Sequence, residues 1–164
     1  LRGKDQQFRG EKVLPGIVVR GAKASDAEVL KTLLDLSWKT HWGPHVNAAS
    51  RARYAAERPA HGYVDACLND FIIAERAGQV VRMYHLEGGY LHAINIAVSD
   101  IGTGIGSKLM QHAEARGARR LEVREFNTRA RRFYAGRGWV EVEEADATEM
   151  GTPTRTIFME LPQT

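Results

Sequence analysis

The chain has 164 residues, 43% hydrophobic and 26% charged, with a net charge of +3. That length fits one domain with an ordinary core, and no apolar run approaches the ~20 residues of a membrane helix. The one cysteine, Cys67, excludes an internal disulfide framework and a cysteine-rich zinc site, and it fits a cytoplasmic setting.

Residues 1–15 read as a polar N-terminal tail without the apolar segment of a secretory signal, ahead of a single domain over 16–164. GIVVRGA, from Gly16, has the β-branched content of a short strand. In SDAEVLKTLLDLSWKTHW, Ser25 and Glu28 have capping-box spacing, and Leu30, Leu33, Leu34 and Trp38 recur at helical spacing. Gly43-Pro44 ends that helix. NAASRARYAAER reads as a second helix, Pro59 interrupts, and HGYVDACLND reads as a third, with Cys67 a small buried residue. FIIAER, VVRMYHL and YLHAINIAV are three strands joined by short glycine-containing turns, hence antiparallel hairpins.

A glycine-rich loop, DIGTGIGSKLM, leads into a helix whose face carries Ile105, Leu109, Met110 and Ala113. RRLEVREF is a strand. NTRARRFYAGRG is a helix with Asn127 at its N-cap and glycines at its end. WVEVEEA and RTIFMEL are the last two strands. The order predicts an α/β (α+β) fold: a mixed, mostly antiparallel sheet flanked by helices.

The glycine loop fails both common nucleotide-binding spacings. A dinucleotide fingerprint needs a third glycine where Ser107 or Leu109 stands, and a Walker loop needs glycine where Ser107 precedes Lys108. What remains open is a plain strand-to-helix turn or an anion site, where the unpaired N–H groups of a helix's first turn attract phosphate. Downstream, Asn127 and Tyr134 lie seven residues apart on one helix face, with the small Ala130 between them. A tyrosine hydroxyl is a proton donor with a pKa near 10, suited to a thiolate leaving group.

Together these two segments resemble the GNAT superfamily of N-acetyltransferases. The family's pyrophosphate loop has Gln or Arg, then Gly three residues on and Gly or Ala two further. Ile101, Gly104 and Gly106 occupy those positions, so the family's Gln or Arg is an isoleucine here. The second signature is matched by Asn127, Ala130, Phe133, Tyr134, Gly138 and Trp139.

The resemblance implies acetyl-CoA as co-substrate, held in a splayed central strand pair, and no metal. It implies pantetheine pairing with main-chain groups near Ile96 and Val98. It places the pyrophosphate on the N–H groups of Gly102, Thr103, Gly104, Ile105, Gly106 and Ser107, puts Asn127 on the pantetheine arm, and makes Tyr134 the acid that protonates the thiolate. The family's usual base is a strand glutamate at the position of His92. Arylalkylamine N-acetyltransferases are similar in placing a histidine there, and imidazole titrates in the useful range. Tyr90 and His85 are weaker candidates for that role.

The implied reaction is direct attack of a primary amine, from a small molecule or a peptide, in a ternary complex. Trp38, His41, Trp42 and His45 lie in the segment that often lines the acceptor pocket in this fold, and suit an apolar or aromatic amine. His41 and His45 have a metal-like spacing, but Pro44 breaks the helix and no third ligand is evident. An acidic run, Glu141, Glu143, Glu144, Asp146 and Glu149, could draw a cationic amine.

Two other readings stay open. One is a non-catalytic acyl-CoA-binding module. The other is a nucleic-acid binder using Arg116, Arg119, Arg120, Arg124, Arg129, Arg131, Arg132 and Arg137, although no aromatics interleave with them. Membrane and nucleic-acid partners are not expected, and a homodimer is compatible with the sequence.

Overall fold

The computed structural model describes residues 10–96 and 104–164. Two strands open the fold: β1 (Glu11–Leu14) and β2 (Ile17–Gly21), paired antiparallel. Residues 11–14, read from the sequence as the end of a polar tail, thus belong to the sheet. Four residues are too few for a periodic signal, and β1 becomes a strand only because β2 offers it an edge. Val13 and Leu14 pack against the core.

Helix α1 (Ala27–His41) buries Leu30, Leu33 and Leu34 at the expected spacing. Its start departs from the Ser25–Glu28 reading. A 3-10 turn over Ala24–Asp26 precedes it, and Asp26, not Ser25, closes the turn by accepting from the Lys23 backbone N–H at 2.7 Å. Arg20 of β2 also donates to Asp26 at 2.8 Å, so a partner distant from the local pattern decides the start of the helix.

Helix α2 (Ala48–Glu57) is capped by Asn47, which accepts from the Ser50 N–H at 2.8 Å. Pro59 is the first residue of α3 (Pro59–Cys67), where its missing N–H costs nothing. Cys67 is half-buried and packs beside the α1 core.

A meander follows: β3 (Phe71–Arg76), β4 (Gln79–Glu87) and β5 (Tyr90–Ile96), each antiparallel to the next. Then come α4 (Ile105–Ala115), β6 (Arg120–Arg124), α5 (Thr128–Ala135), β7 (Val140–Glu149) and β8 (Thr152–Glu160). The eight strands form one sheet in the order β1-β2-β3-β4-β5-β6-β8-β7, with helices packed on it. Among the described residues only β5 and β6 run parallel, and the other neighbours are antiparallel.

Two apolar clusters sandwich the sheet. Leu30, Leu33 and Leu34 of α1 and Val64 of α3 pack on Phe71, Ile73 and Met83. Ile105, Leu109, Met110 and Ala113 of α4 pack on Tyr84, Leu91, Leu121, Val123, Ile157 and Met159. Alternate side chains of β4 therefore enter different clusters, as the two-residue period of a strand requires.

The arginines that look clustered in sequence are dispersed in space. Arg137 clamps Glu114 with two bonds of 3.0 and 2.6 Å, and Trp139 Nε1 donates to the same carboxylate at 3.0 Å. Arg124 pairs with Glu149 at 3.0 Å, and Arg131 with Glu141 at 2.7 Å. Arg119 donates to the carbonyls of Glu114 and Ala118. The acidic run is engaged by the same partners and by Arg155, which reaches Glu144 at 2.6 Å and Asp146 at 3.2 Å. Glu149 also accepts from Trp38 Nε1 at 2.8 Å. Opposite charges thus alternate along both runs, with Arg131 tying α5 to β7, Arg124 tying β6 to β7 and Arg155 tying β8 to β7.

Candidate active site

The site begins where the parallel pair parts. β5 and β6 meet only at Tyr90–Arg120 and Leu91–Leu121, yet β5 continues to Ile96 and β6 to Arg124. Their diverging ends open a cavity of about 460 Å³. A regular sheet would have closed this gap with backbone bonds.

The cavity has contributions from five elements. Ile94 and Asn95 come from β5, and Arg82 from β4. The start of α4 supplies Gly104, Gly106 and Ser107, and α5 with its cap supplies Asn127, Arg129, Phe133 and Tyr134. The end of α1 supplies Ser37, His41 and the following Trp42.

Gly104 is the N-cap of α4 with φ +80°, a left-handed conformation that favours glycine. Behind it the first turn of α4 presents unpaired N–H groups, the basis of an anion site. Gly106 is required for a different reason. A Cβ there would overlap Nη1 of Arg82 and stand 3.0 Å from its Cζ, so the missing side chain is what admits the guanidinium against the helix start. Arg82 is buried, 5% exposed.

Sequence reasoning missed this arginine. The available signal was a lone charge inside the apolar strand VVRMYHL, which seldom occurs without a partner or a ligand. Arg82 delivers positive charge beside Gly106, at the start of α4.

Asn127 caps α5 by accepting from the Ala130 N–H at 3.3 Å. Its amide NH2 is a further donor on a residue that lines the cavity. Tyr134 lies two turns along the same helix, 8% exposed, with its ring edge-on to Phe133. Burial pushes its phenol well above the ordinary tyrosine range, so it keeps its proton at neutral pH and has one to donate.

Of the other expected site residues, Gly104, Gly106 and Ser107 line the cavity, while the Ile105 side chain is buried in the α4 cluster. Ile96 pairs through its backbone with Arg82. Val98, Gly102 and Thr103, with Ile101, lie outside the described residues.

His92 does not line the cavity among the described residues. Its ring stacks on His85 with centroids 4.7 Å apart, and its Nε2 is 3.4 Å from Glu87. The physical reason is a bulge: Leu86 pairs with Leu91 and His85 with Ala93, leaving His92 as the extra residue.

The aromatic-histidine segment after α1 divides. His41 and Trp42 line the cavity. Trp38 instead stacks on Tyr54 at 3.7 Å, and His45 stacks on Phe126 at 4.7 Å. Burial, with the nearby Arg129 charge, lowers the His41 pKa below its usual 6.5, so the imidazole is neutral at physiological pH.

A mixed eight-stranded sheet, opened at its one parallel pair beside a helix N-terminus and a buried tyrosine, defines an acetyltransferase-type α/β fold. Residues 68–141 match the family model of the acetyltransferase (GNAT) domain, the family that the sequence resembles.

Solved structures agree on the fold. The apo form of YjaB from Escherichia coli superimposes with a TM-score of 0.68 at 18% identity, over 88% of this chain and 97% of that one. A GCN5-related N-acetyltransferase from Rhodopseudomonas palustris gives 0.67 at 21% identity, over 93% and 100%. PaiA N-acetyltransferase from Thermoplasma acidophilum, solved in complex with coenzyme A, gives 0.60 at 18% identity, over 89% and 99%. No curated protein matches the sequence at a significant level. Among the described residues, no helix is long and apolar enough to cross a membrane.

Proposed function

We propose that this protein is an acetyl-CoA-dependent N-acetyltransferase that moves an acetyl group to a primary amine by direct attack in a ternary complex. The observation that carries the reading is the convergence of an anion-binding helix start, a proton donor and a neutral imidazole on one cavity. The start of α4 and Arg82 would bind the pyrophosphate. The parted edge of β5 would pair with the pantetheine arm as an added strand would, with the Asn127 amide as a further contact. That a similar fold is solved with coenzyme A bound supports the same donor here.

In the reaction the amine nitrogen attacks the thioester carbonyl carbon, the C–S bond breaks, and the thiolate takes the proton of Tyr134. The attacking amine must be neutral, so a base must accept its proton. His41 is the base in this proposal. It lines the cavity, and its lowered pKa leaves it unprotonated, whereas His92 does not line the described cavity. Trp42 and Phe133, which line the same cavity, favour an apolar or aromatic amine. The presence of both an acid and a base in the cavity favours catalysis over passive acyl-CoA binding. The engagement of Arg119, Arg124, Arg131 and Arg137 with nearby carboxylates and carbonyls disfavours a nucleic-acid surface.

Titration with acetyl-CoA tests the first half of the proposal. At about 100 times the Kd, ligand should stabilise the fold by about 2.7 kcal/mol, a rise in Tm of about 5–10 °C for a chain of this size. Saturable binding followed by thiol release with an arylalkylamine panel supports the enzyme reading. Binding without turnover across the panel supports the passive module, and no binding sinks both.

The base has its own test. A general base works deprotonated, so kcat/KM should fall as pH drops through the His41 pKa, which lies below 6.5. The acid limb should therefore appear below that pH and disappear in His41→Gln. If His92→Ala removes the limb and His41→Gln keeps it, the role returns to His92.

A further inference from the structure

Independently of the acyltransferase reading, we propose that His85, Glu87 and His92, at the β4–β5 hairpin, form a binding site for a divalent transition-metal ion of the zinc class. One ligand atom from each lies within 4.8 Å of the other two. His92 Nε2 and Glu87 Oε2 are 3.4 Å apart. Two ligands held 2.0–2.1 Å from a tetrahedral ion are separated by about 3.3 Å, so this pair already has the spacing of a tetrahedral edge.

The strongest indication is His85. It is 4% exposed, and its Nε2 is fully buried with no hydrogen-bond partner. A buried imidazole nitrogen without a partner loses its hydration and gains nothing in return, unless something absent from the protein chain meets it. The opposite ring nitrogen, Nδ1, is 2.6 Å from the Tyr63 hydroxyl. In the ligated form Nδ1–H donates to that oxygen and Nε2 presents its lone pair to the ion. A hydrogen bond at the other ring nitrogen fixes the tautomer and ring orientation of a metal-binding histidine, and here the Tyr63 hydroxyl takes the place of the more usual carboxylate, carbonyl or water.

The backbone explains why the three residues meet. His85 and Glu87 lie two apart on β4 and project to one side. His92 would ordinarily alternate away from its neighbours, but the bulge in β5 places its ring against His85. Glu87 and His92 are 76% and 39% exposed, which leaves a route for the ion to enter.

The donor set selects the ion class. Two imidazoles and one carboxylate suit Zn2+, Co2+ or Ni2+, whereas Mg2+ and Ca2+ demand oxygen ligands. Three protein ligands leave a fourth position for water. The ion would clamp β5 to β4 two residues before the strand reaches the cavity at Ile94. The site is distinct from the His41–His45 spacing that sequence reasoning rejected.

The test is calorimetric titration of the untagged, chelator-treated full chain with Zn2+, and with Co2+ for its visible spectrum. One Zn2+ per chain should bind, and Co2+ should give the absorption of a four-coordinate site. His92→Ala and Glu87→Gln change exposed side chains, and each should weaken Zn2+ by about tenfold or more. Tyr63→Phe should weaken it by about 10- to 100-fold while leaving the stoichiometry at one. His45→Ala should change nothing. Absence of stoichiometric Zn2+ binding overturns the proposal, as does binding that survives His92→Ala undiminished or is lost in His45→Ala.

Discussion

Tyr134→Phe is expected to lower kcat by about 100-fold while the Kd for acetyl-CoA stays nearly constant. A positioned general acid contributes about 10²- to 10⁴-fold. The low end applies because a thiolate, whose conjugate acid has a pKa of about 8.5, leaves more readily than an alkoxide. Removing one hydroxyl leaves the ring packing against Phe133 and Trp139 intact, so the fold and the cavity shape should persist. An interaction made only in the transition state lowers kcat and kcat/KM together. Stopped-flow detection of free thiol, with calorimetry for acetyl-CoA, separates the two quantities. An unchanged kcat would remove Tyr134 from the mechanism, and a raised Kd with constant kcat would make it a binding residue.

Gly106→Ala is expected to weaken acetyl-CoA by about 10- to 100-fold. The new methyl group would overlap the Arg82 guanidinium, whose only open side is the cavity it lines. Either the arginine or the first turn of α4 must shift, and both face the cavity where the pyrophosphate is proposed to bind. Loss of one charge-assisted hydrogen bond costs about 1.5–3 kcal/mol, which sets the size of the effect. Arg82→Met should produce a loss of the same order. The double variant should be hardly worse than either single one, because the methyl has no guanidinium left to displace. Full additivity would show that the two residues act separately. Calorimetry on the three variants, with melting curves to verify folding, decides the matter.

The part of the site that was legible in the sequence is local. Asn127 announces a helix start because its short side chain can cap, and Tyr134 follows two turns along the same face. Gly104 and Gly106 announce a backbone that must turn left-handed or make room. The meander of β3, β4 and β5 was legible because short glycine turns leave few ways to connect strands.

Where the reading failed, a distant partner decided the outcome. Ser25 and Glu28 have the right spacing for a capping box, but Arg20 and the Lys23 N–H bind Asp26 instead. Residues 11–14 look like polar tail until β2 pairs with them. The arginine cluster looks like one surface until the carboxylates that hold Arg124, Arg131 and Arg137 are located.

The sequence by itself determined most of the helices and the strands from β2 onward, where the glycine loop and the α5 cap fall, and hence the family resemblance. Those features depend on side-chain period and turn chemistry within about ten residues. Only the tertiary structure decided which side chains share the cavity. It brought Arg82 under Gly106 from a strand more than twenty positions earlier, admitted His41 from the end of α1, and turned His92 toward His85 and Glu87. The physical reason is that strand order, the parting of β5 from β6 and a one-residue bulge set these distances, and each arises from pairing between segments far apart in the chain.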